Sequence, residues 1–203
     1  MIDDFIVIDD VISKTYQNQL EQYMHEHQQW WFQQDITFSD QHLKDLKEQG
    51  IDVDYRHGWG SMIYDPAKSF GTINHLCTPI LYNAIDLANL NLNKITLIRG
   101  FMSAPAAKHV TQLVDKPHVD NPNLHYVCLY YVNDSDGDTV IFKKKSDGVN
   151  EYALKDELDP TQMEVLTSVS PKKGRCILFD GRSYHASTQP TKNIRTVINF
   201  NFL

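Results

Sequence analysis

The sequence predicts a mainly β fold with N-terminal α-helices, built on an antiparallel double sheet of jelly-roll type. Three observations carry that expectation. Beyond Asn93 the chain reads as about eight short strands separated by turn signals. Ahead of them lie two apolar stripes at helical spacing. The final segment, Arg195 to Phe202, puts Thr196, Ile198 and Phe200 on one face and Arg195, Val197 and Asn199 on the other. The first face suits packing on helices and the second suits an interior between two sheets.

Taken in order, Phe5-Ile6-Val7-Ile8 is a short buried strand, and Ser13 is the N-cap of a helix whose face is Tyr16, Leu20 and Met24, flanked by Tyr23 and His27. Trp30-Trp31-Phe32 ends it in an aromatic cluster entering a strand. Asp35 to Gly58 is polar, with a short helix expected around His42 to Gln49; His42 and His57 read as solvated histidines. Gly58 to Tyr64 is a strand. A second helix lies within Ile73 to Leu90, with Leu76, Ile80, Leu81, Ala84 and Ala88 inward. Pro79 fits the first helical position after an N-cap Thr78, which starts that helix near Thr78.

Further strands are expected at Ile95–Met102, Thr111–Asp120, Leu124–Val132, Thr139–Phe142, Met163–Val169, Arg175–Asp180, Tyr184–Ser187 and Arg195–Phe202. Turns fall at Ala104-Pro105, Asn121-Pro122-Asn123, Asp134 to Gly137, Ser170 to Gly174 and Gln189-Pro190. In Leu124–Val132, His125, Val127, Leu129 and Tyr131 share one face. Tyr126, Cys128, Tyr130 and Val132 share the other, where the tyrosines fill core. Lys143 to Pro160 reads as a charged surface loop. A single domain over 1–203 is expected, with 1–93 a helical support region and 94–203 the jelly-roll core.

Composition narrows the function. The 203 residues are 41% hydrophobic with a net charge of -7, and the basic residues are dispersed apart from Lys143-Lys144-Lys145. That balance lacks the basic footprint of a nucleic-acid binder. Cys77, Cys128 and Cys176 lie in apolar surroundings with no CxxC spacing, which reads as reduced buried thiols rather than disulfides or zinc ligands. Met1 to Asp10 has no signal-peptide character and no apolar run reaches bilayer length, so a cytoplasmic protein without a membrane partner is expected.

The chemistry begins at His118-Val119-Asp120. In extended chain His118 and Asp120 aim to one side, a motif that is common by chance. His185 lies 67 residues further on and Arg195 ten beyond that. Two imidazoles, a carboxylate and a downstream guanidinium are the parts of an iron site that uses a dicarboxylate co-substrate. Arg195, on an inward face, needs an anion, because burying its charge unpaired costs several kcal/mol. A ligand carboxylate or an Asp or Glu of the protein both meet that need, and Arg195 alone does not decide between them.

His118-Val119-Asp120 with Asn121-Pro122-Asn123, the ending Tyr130-Tyr131-Val132-Asn133, the run Ser170 to Asp180, then His185 and Arg195, together resemble the Fe(II)- and 2-oxoglutarate-dependent dioxygenases. The prolyl hydroxylase-like branch, which includes the hypoxia-sensing enzymes, is the nearest, and the resemblance spans roughly Ile95 to Phe202. It implies a double-stranded β-helix (jelly-roll, cupin-like) core. It further implies that His118, Asp120 and His185 bind Fe(II), and that Arg195 pairs with the distal carboxylate of 2-oxoglutarate, assisted by the Tyr131 hydroxyl. Asn199 stands where the hypoxia-sensing enzymes have a Thr that helps there, and Asp138 replaces a Gly common in relatives. The implied reaction is hydroxylation of a C–H bond with O₂, releasing succinate and CO₂, with ascorbate as an accessory reductant. A prolyl residue of a peptide or protein is the first substrate implied, with a free amino acid next. The presence of Asp120 favours hydroxylation over halogenation.

Three other readings fit less well. A nucleic-acid demethylase of the AlkB type would carry a second Arg six residues after the first, where this chain has Asn201. A zinc hydrolase would leave Arg195 and Tyr131 without a role. A non-catalytic sensor module that binds metal and 2-oxoglutarate is the remaining alternative.

Overall fold

The computed structural model describes residues 2, 4–36, 44, 47–48, 56–67, 73–106, 114–121, 123–147 and 159–203. Of the helix expected around His42 to Gln49 only residues 44, 47 and 48 are described, and they are helical; most of the loops expected at 35–58 and 143–160 lie outside the described residues. The elements are β1 (Phe5–Ile8), α1 (Lys14–Glu26), β2 (Trp31–Gln33), β3 (Gly58–Tyr64), α2 (Asn74–Leu87), β4 (Ile95–Ser103), β5 (Tyr126–Tyr131), β6 (Thr139–Lys145), β7 (Val165–Val169), β8 (Cys176–Asp180), β9 (Ser183–Ser187) and β10 (Arg195–Phe202). They form a seven-stranded sheet, ordered β1-β8-β5-β10-β4-β3-β2, and a three-stranded sheet, ordered β7-β6-β9. All pairings are antiparallel. This is the double sheet that the sequence predicts. β1, β2 and β3 belong to the larger sheet, so the first 93 residues supply strands as well as helical support.

Alternation along β5 and β10 divides the interior. Cys128, Tyr130, Ile198, Phe200 and Phe202 face the helices in one core with Leu20, Met24, Ile80 and Leu81. Val127, Leu129, Tyr131 and Val197 face the opposite way, into a second core with Ile141, Ile177 and Phe179 between the sheets. Each large apolar side chain so buried contributes about 1.5–3 kcal/mol. Helix α1 starts at Ser13, whose hydroxyl accepts from the Tyr16 N–H at 3.3 Å. It buries Gln17 along with Leu20 and Met24; the Gln17 amide is held by the Ile12 carbonyl at 2.8 Å. Gln17 also packs where a side chain at Gly174 would stand, and Gly174 has a φ of +83°, so the turn before β8 requires glycine on both counts. The three cysteines are buried and free. Among the described residues no helix is long and apolar enough to cross a membrane.

Three sequence expectations are corrected. Helix α2 begins at Asn74, not near Thr78, and contains Pro79. The burial of Ile73 and Cys77 extends its apolar face N-terminally. Pro79, the sixth residue of the helix, gives up the bond to the His75 carbonyl and crowds it, a cost that the burial of the flanking apolar face offsets. Thr78 is not a cap; its hydroxyl donates back to the Asn74 carbonyl at 2.9 Å. The strand expected over Thr111–Asp120 is reduced, among its described residues, to two isolated bridges, Val114 with Thr188 and His118 with His185. The register slips by one residue between them, at Lys116-Pro117, where proline has no N–H for a ladder. Finally, Lys143 to Lys145 are not loop but the end of β6.

Candidate metal centre

Those two bridges lay residues 114–118 against β9 and set the geometry of the site. His118 and His185 exchange both backbone hydrogen bonds, at 2.9 Å each way, which puts the residues directly opposite one another. Their rings lie 4.6 Å apart between centroids. Asp120 follows at a bend, and its carboxylate joins them: one ligand atom from each of His118, Asp120 and His185 lies within 4.8 Å of the others. The Nδ1 of His118 meets the Lys116 carbonyl at 3.3 Å, and that of His185 meets the Ser183 carbonyl at 3.1 Å. A carbonyl only accepts, so each Nδ1 carries the proton and each Nε2 keeps its lone pair.

The larger sheet holds the third member. Arg99 on β4 donates from Nη2 to Asp120 Oδ1 at 2.6 Å. Asn199 and Asn201 on β10 donate to Oδ2 at 2.8 and 3.0 Å. The pairing of β4 with β10 sets Arg99 opposite Asn199, so these donors converge from one sheet face. Burial alone would raise the Asp120 pKa. The Arg99 guanidinium and the two imidazoles outweigh it and hold the group well below the usual carboxylate range. Burial, and next the neighbouring His185, lowers the His118 pKa to about 4; burial lowers that of His185 as well. At neutral pH the trio is therefore two neutral imidazoles and one carboxylate.

These shifts set the acid stability of the metal-free protein. The folded-state histidine pKa values lie below the ordinary 6.5, so the unfolded chain takes up protons first. Stability is expected to fall as the pH drops from about 6.5 towards about 4. Thermal melts of metal-free protein across that interval check it: a flat melting temperature contradicts buried neutral imidazoles.

Arg195 is 5% exposed. It donates from Nε to the Gly137 carbonyl at 2.7 Å and from Nη2 to the Thr139 hydroxyl at 2.8 Å. Among the described residues no carboxylate lies within 4 Å of it; Asp115 and Asp138 act on it only from further away. Burial lowers its pKa. Gly137 is glycine because a side chain there would stand 2.8 Å from the Thr188 carbonyl oxygen and 2.9 Å from Arg195 Cδ. Arg195, Asn199 and the trio line one cavity of about 130 Å³.

Two residues expected beside the co-substrate have other partners in the metal-free structure. Tyr131 does not line this cavity; its hydroxyl donates to Thr139 Oγ1 at 2.8 Å, and burial pushes its pKa up to about 12. Thr139 does line the cavity. Its oxygen accepts from both Tyr131 and Arg195, which leaves its own proton to donate inward. Asn199, expected beside the co-substrate, lines the cavity but turns its amide to Asp120. Sequence reasoning missed Arg99, Thr139 and Asn201. The available signal for Arg99 was a guanidinium on the same strand face as Leu97 and Phe101.

No family model matches the sequence, and neither does any curated protein. Solved structures do match. SnoN, an epimerase of nogalamycin biosynthesis solved with Fe3+, alpha ketoglutarate and nogalamycin RO, gives a TM-score of 0.62 at 12% identity, over 99% of this chain and 79% of that one. A Trichoplax adhaerens prolyl hydroxylase, in complex with a hypoxia-inducible-factor peptide, gives 0.58 at 15%, over 98% and 83%. HygX of Streptomyces hygroscopicus, with nickel and 2-oxoglutarate, gives 0.59 at 15%, over 98% and 82%. The chain thus has the fold of the iron- and 2-oxoglutarate-dependent oxygenases, prolyl hydroxylases among them.

Proposed function

We propose that this protein is an Fe(II)- and 2-oxoglutarate-dependent dioxygenase that hydroxylates a C–H bond of its substrate and releases succinate and CO₂. The observation that carries the reading is a single cavity collecting two imidazoles, one carboxylate and a buried arginine that makes no ion pair among the described residues. The donor set fits the metal: neutral imidazoles and a carboxylate suit Fe(II) and leave coordination positions open. The metal and co-substrate bound to SnoN and HygX support the same assignment.

His118 and His185 would ligate through Nε2. Asp120 would ligate through Oδ1, since Oδ2 already accepts two amide N–H groups while Oδ1 has one lone pair beyond Arg99. Bound iron and 2-oxoglutarate supply the oxidising chemistry. The chain's own residues position and exclude. Arg195, with its remaining N–H donors, and Thr139, with its free hydroxyl proton, would take the distal carboxylate; Tyr131 orients Thr139 from behind. Phe101, Leu129 and Val197 wall the cavity with apolar surface that keeps water from the reacting centre.

Asn199 then acts as a positioning residue for the metal. Asn199→Ala should weaken metal binding by about 10–100-fold and leave 2-oxoglutarate binding to the fully metallated protein unchanged. Metal-competition titrations separate the two; a selective loss of 2-oxoglutarate would return Asn199 to the co-substrate role. The reading as a whole is tested by supplying the purified protein with Fe(II), 2-oxoglutarate, ascorbate and O₂. Succinate should form in molar excess over protein. Iron bound with no succinate formed would favour a sensor module instead.

A prolyl residue is the substrate implied by the sequence resemblance, and the Trichoplax peptide complex supports it. SnoN, bound to a small molecule, is at least as similar in fold. The choice between peptide and small molecule therefore rests on the cavity itself.

A further inference from the structure

The cavity carries more positive charge than the oxygenase reading requires. Asp120 is its one acidic lining residue among those described, against two guanidinium groups, Arg99 and Arg195. The nearby buried Asp115 does not alter the balance, because it is engaged by Arg56 at 2.9 Å and by the Ser187 hydroxyl at 2.6 Å. A divalent metal adds two positive charges and the two carboxylates of 2-oxoglutarate remove two, so one positive charge remains.

That charge sits at Arg99. In register Arg99 faces Asn199 while Arg195 faces Ser103, four residues along the paired strands and so roughly 13 Å away. A co-substrate held by Arg195 and the metal would lie between Arg195 and the trio, whereas Arg99 meets the trio at Asp120. Arg99 makes a single hydrogen bond among the described residues, to Asp120, and its Nε is buried with no partner. Its side chain, 26% exposed, lies 5.2 Å over the Phe101 ring, on the cavity wall. Once Asp120 also serves a metal, the guanidinium would share with a divalent cation the one acidic partner it has among the described residues. A half-buried cation so placed calls for a second anion, and the remaining donors of a guanidinium fork match a carboxylate.

Resting on the oxygenase reading above, we infer that Arg99 recognises a carboxylate of the substrate, so that the molecule oxidised here is a small carboxylic acid, such as a free amino acid, rather than an internal residue of a polypeptide. The carboxylate held beside the metal would place the neighbouring C–H bonds within the cavity and would exclude peptide bonds and amides, which offer the guanidinium no carboxylate.

The test compares a pool of the free proteinogenic amino acids, the matching pool of their primary amides, and a capped proline-containing peptide. Each is added to the iron-loaded protein, with succinate release and substrate mass gain as readouts. Ligand-observed NMR on Zn(II)- and 2-oxoglutarate-loaded protein reports binding without turnover. Substrate-free succinate formation is measured first, and its absence counts against the oxygenase reading itself. With that baseline present, the acid pool should bind and stimulate turnover on the order of 10- to 100-fold better than the amide pool or the peptide. Arg99→Gln, which keeps an N–H for Asp120, should erase that preference in the NMR binding comparison, read on protein whose metal and 2-oxoglutarate occupancy has been confirmed. An acid pool no better than its amides or the peptide, or a preference for acids that survives in Arg99→Gln, overturns the inference.

Discussion

Replacing Arg195 with methionine should all but remove 2-oxoglutarate binding while leaving the metal affinity intact. Truncating one partner of a buried ion pair costs about 3–5 kcal/mol, equivalent to roughly a hundred- to several-thousand-fold in affinity. The separation between the two ligands follows from geometry, because the hydrogen bonds of Arg195 run to Gly137 and Thr139 and none runs to the trio. Arg195→Lys keeps the charge and loses the planar fork, so it should fall between the wild type and Arg195→Met. Anaerobic calorimetry with Mn(II)-loaded protein measures each affinity. Equal loss of metal and 2-oxoglutarate would make Arg195 a structural residue. Thermal melts of both variants report any part of the effect that comes from the lost bond to the Gly137 carbonyl.

Asp120→Ala should abolish metal binding at concentrations that saturate the wild type. Loss of an outer-shell partner alone costs about 10–100-fold in metal affinity. This change removes a ligand and also leaves the Arg99 cation facing the metal with no intervening charge. The metal-free fold is affected too, since Arg99, Asn199 and Asn201 lose a common acceptor. Asp120→Asn retains an acceptor oxygen without the charge, so it should keep more fold stability than Asp120→Ala and recover little metal binding. Equilibrium dialysis beside thermal melts separates the two effects. Near-normal metal binding by Asp120→Ala would contradict the trio as the metal site.

The parts of this site legible in the sequence were those set by local periodicity. The inward aim of Arg195 and the division of Leu124–Val132 into two faces follow from alternation along a strand, and the pairing of His118 with Asp120 was legible as a spacing although Asp120 sits at a bend. What the sequence left open depends on which strands become neighbours. Arg99 matters because β4 pairs with β10 and sets it opposite Asn199, and nothing within Ile95–Ser103 states that pairing. Thr139 matters because Tyr131 and Arg195 reach it from two different strands. Asn199 was legible as an inward residue, but its partner Asp120 comes from a bend that no strand pattern locates. Two of the three corrections of local structure turn on proline. Pro79 after Thr78 has the local signature of a helix start, but burial of Ile73 and Cys77 begins the helix a turn earlier. Pro117 interrupts a segment whose alternation otherwise reads as one continuous strand.

The central claim is that the trio and Arg195 together hold Fe(II) and 2-oxoglutarate. Anaerobic titration of the Fe(II)-loaded protein with 2-oxoglutarate, followed in the visible spectrum, tests it most directly. Chelation of ferrous iron by the keto acid produces a weak charge-transfer absorption, which should rise to saturation at one equivalent and be absent from the iron protein alone. Iron bound at one equivalent, with no such absorption at saturating 2-oxoglutarate, would contradict the account.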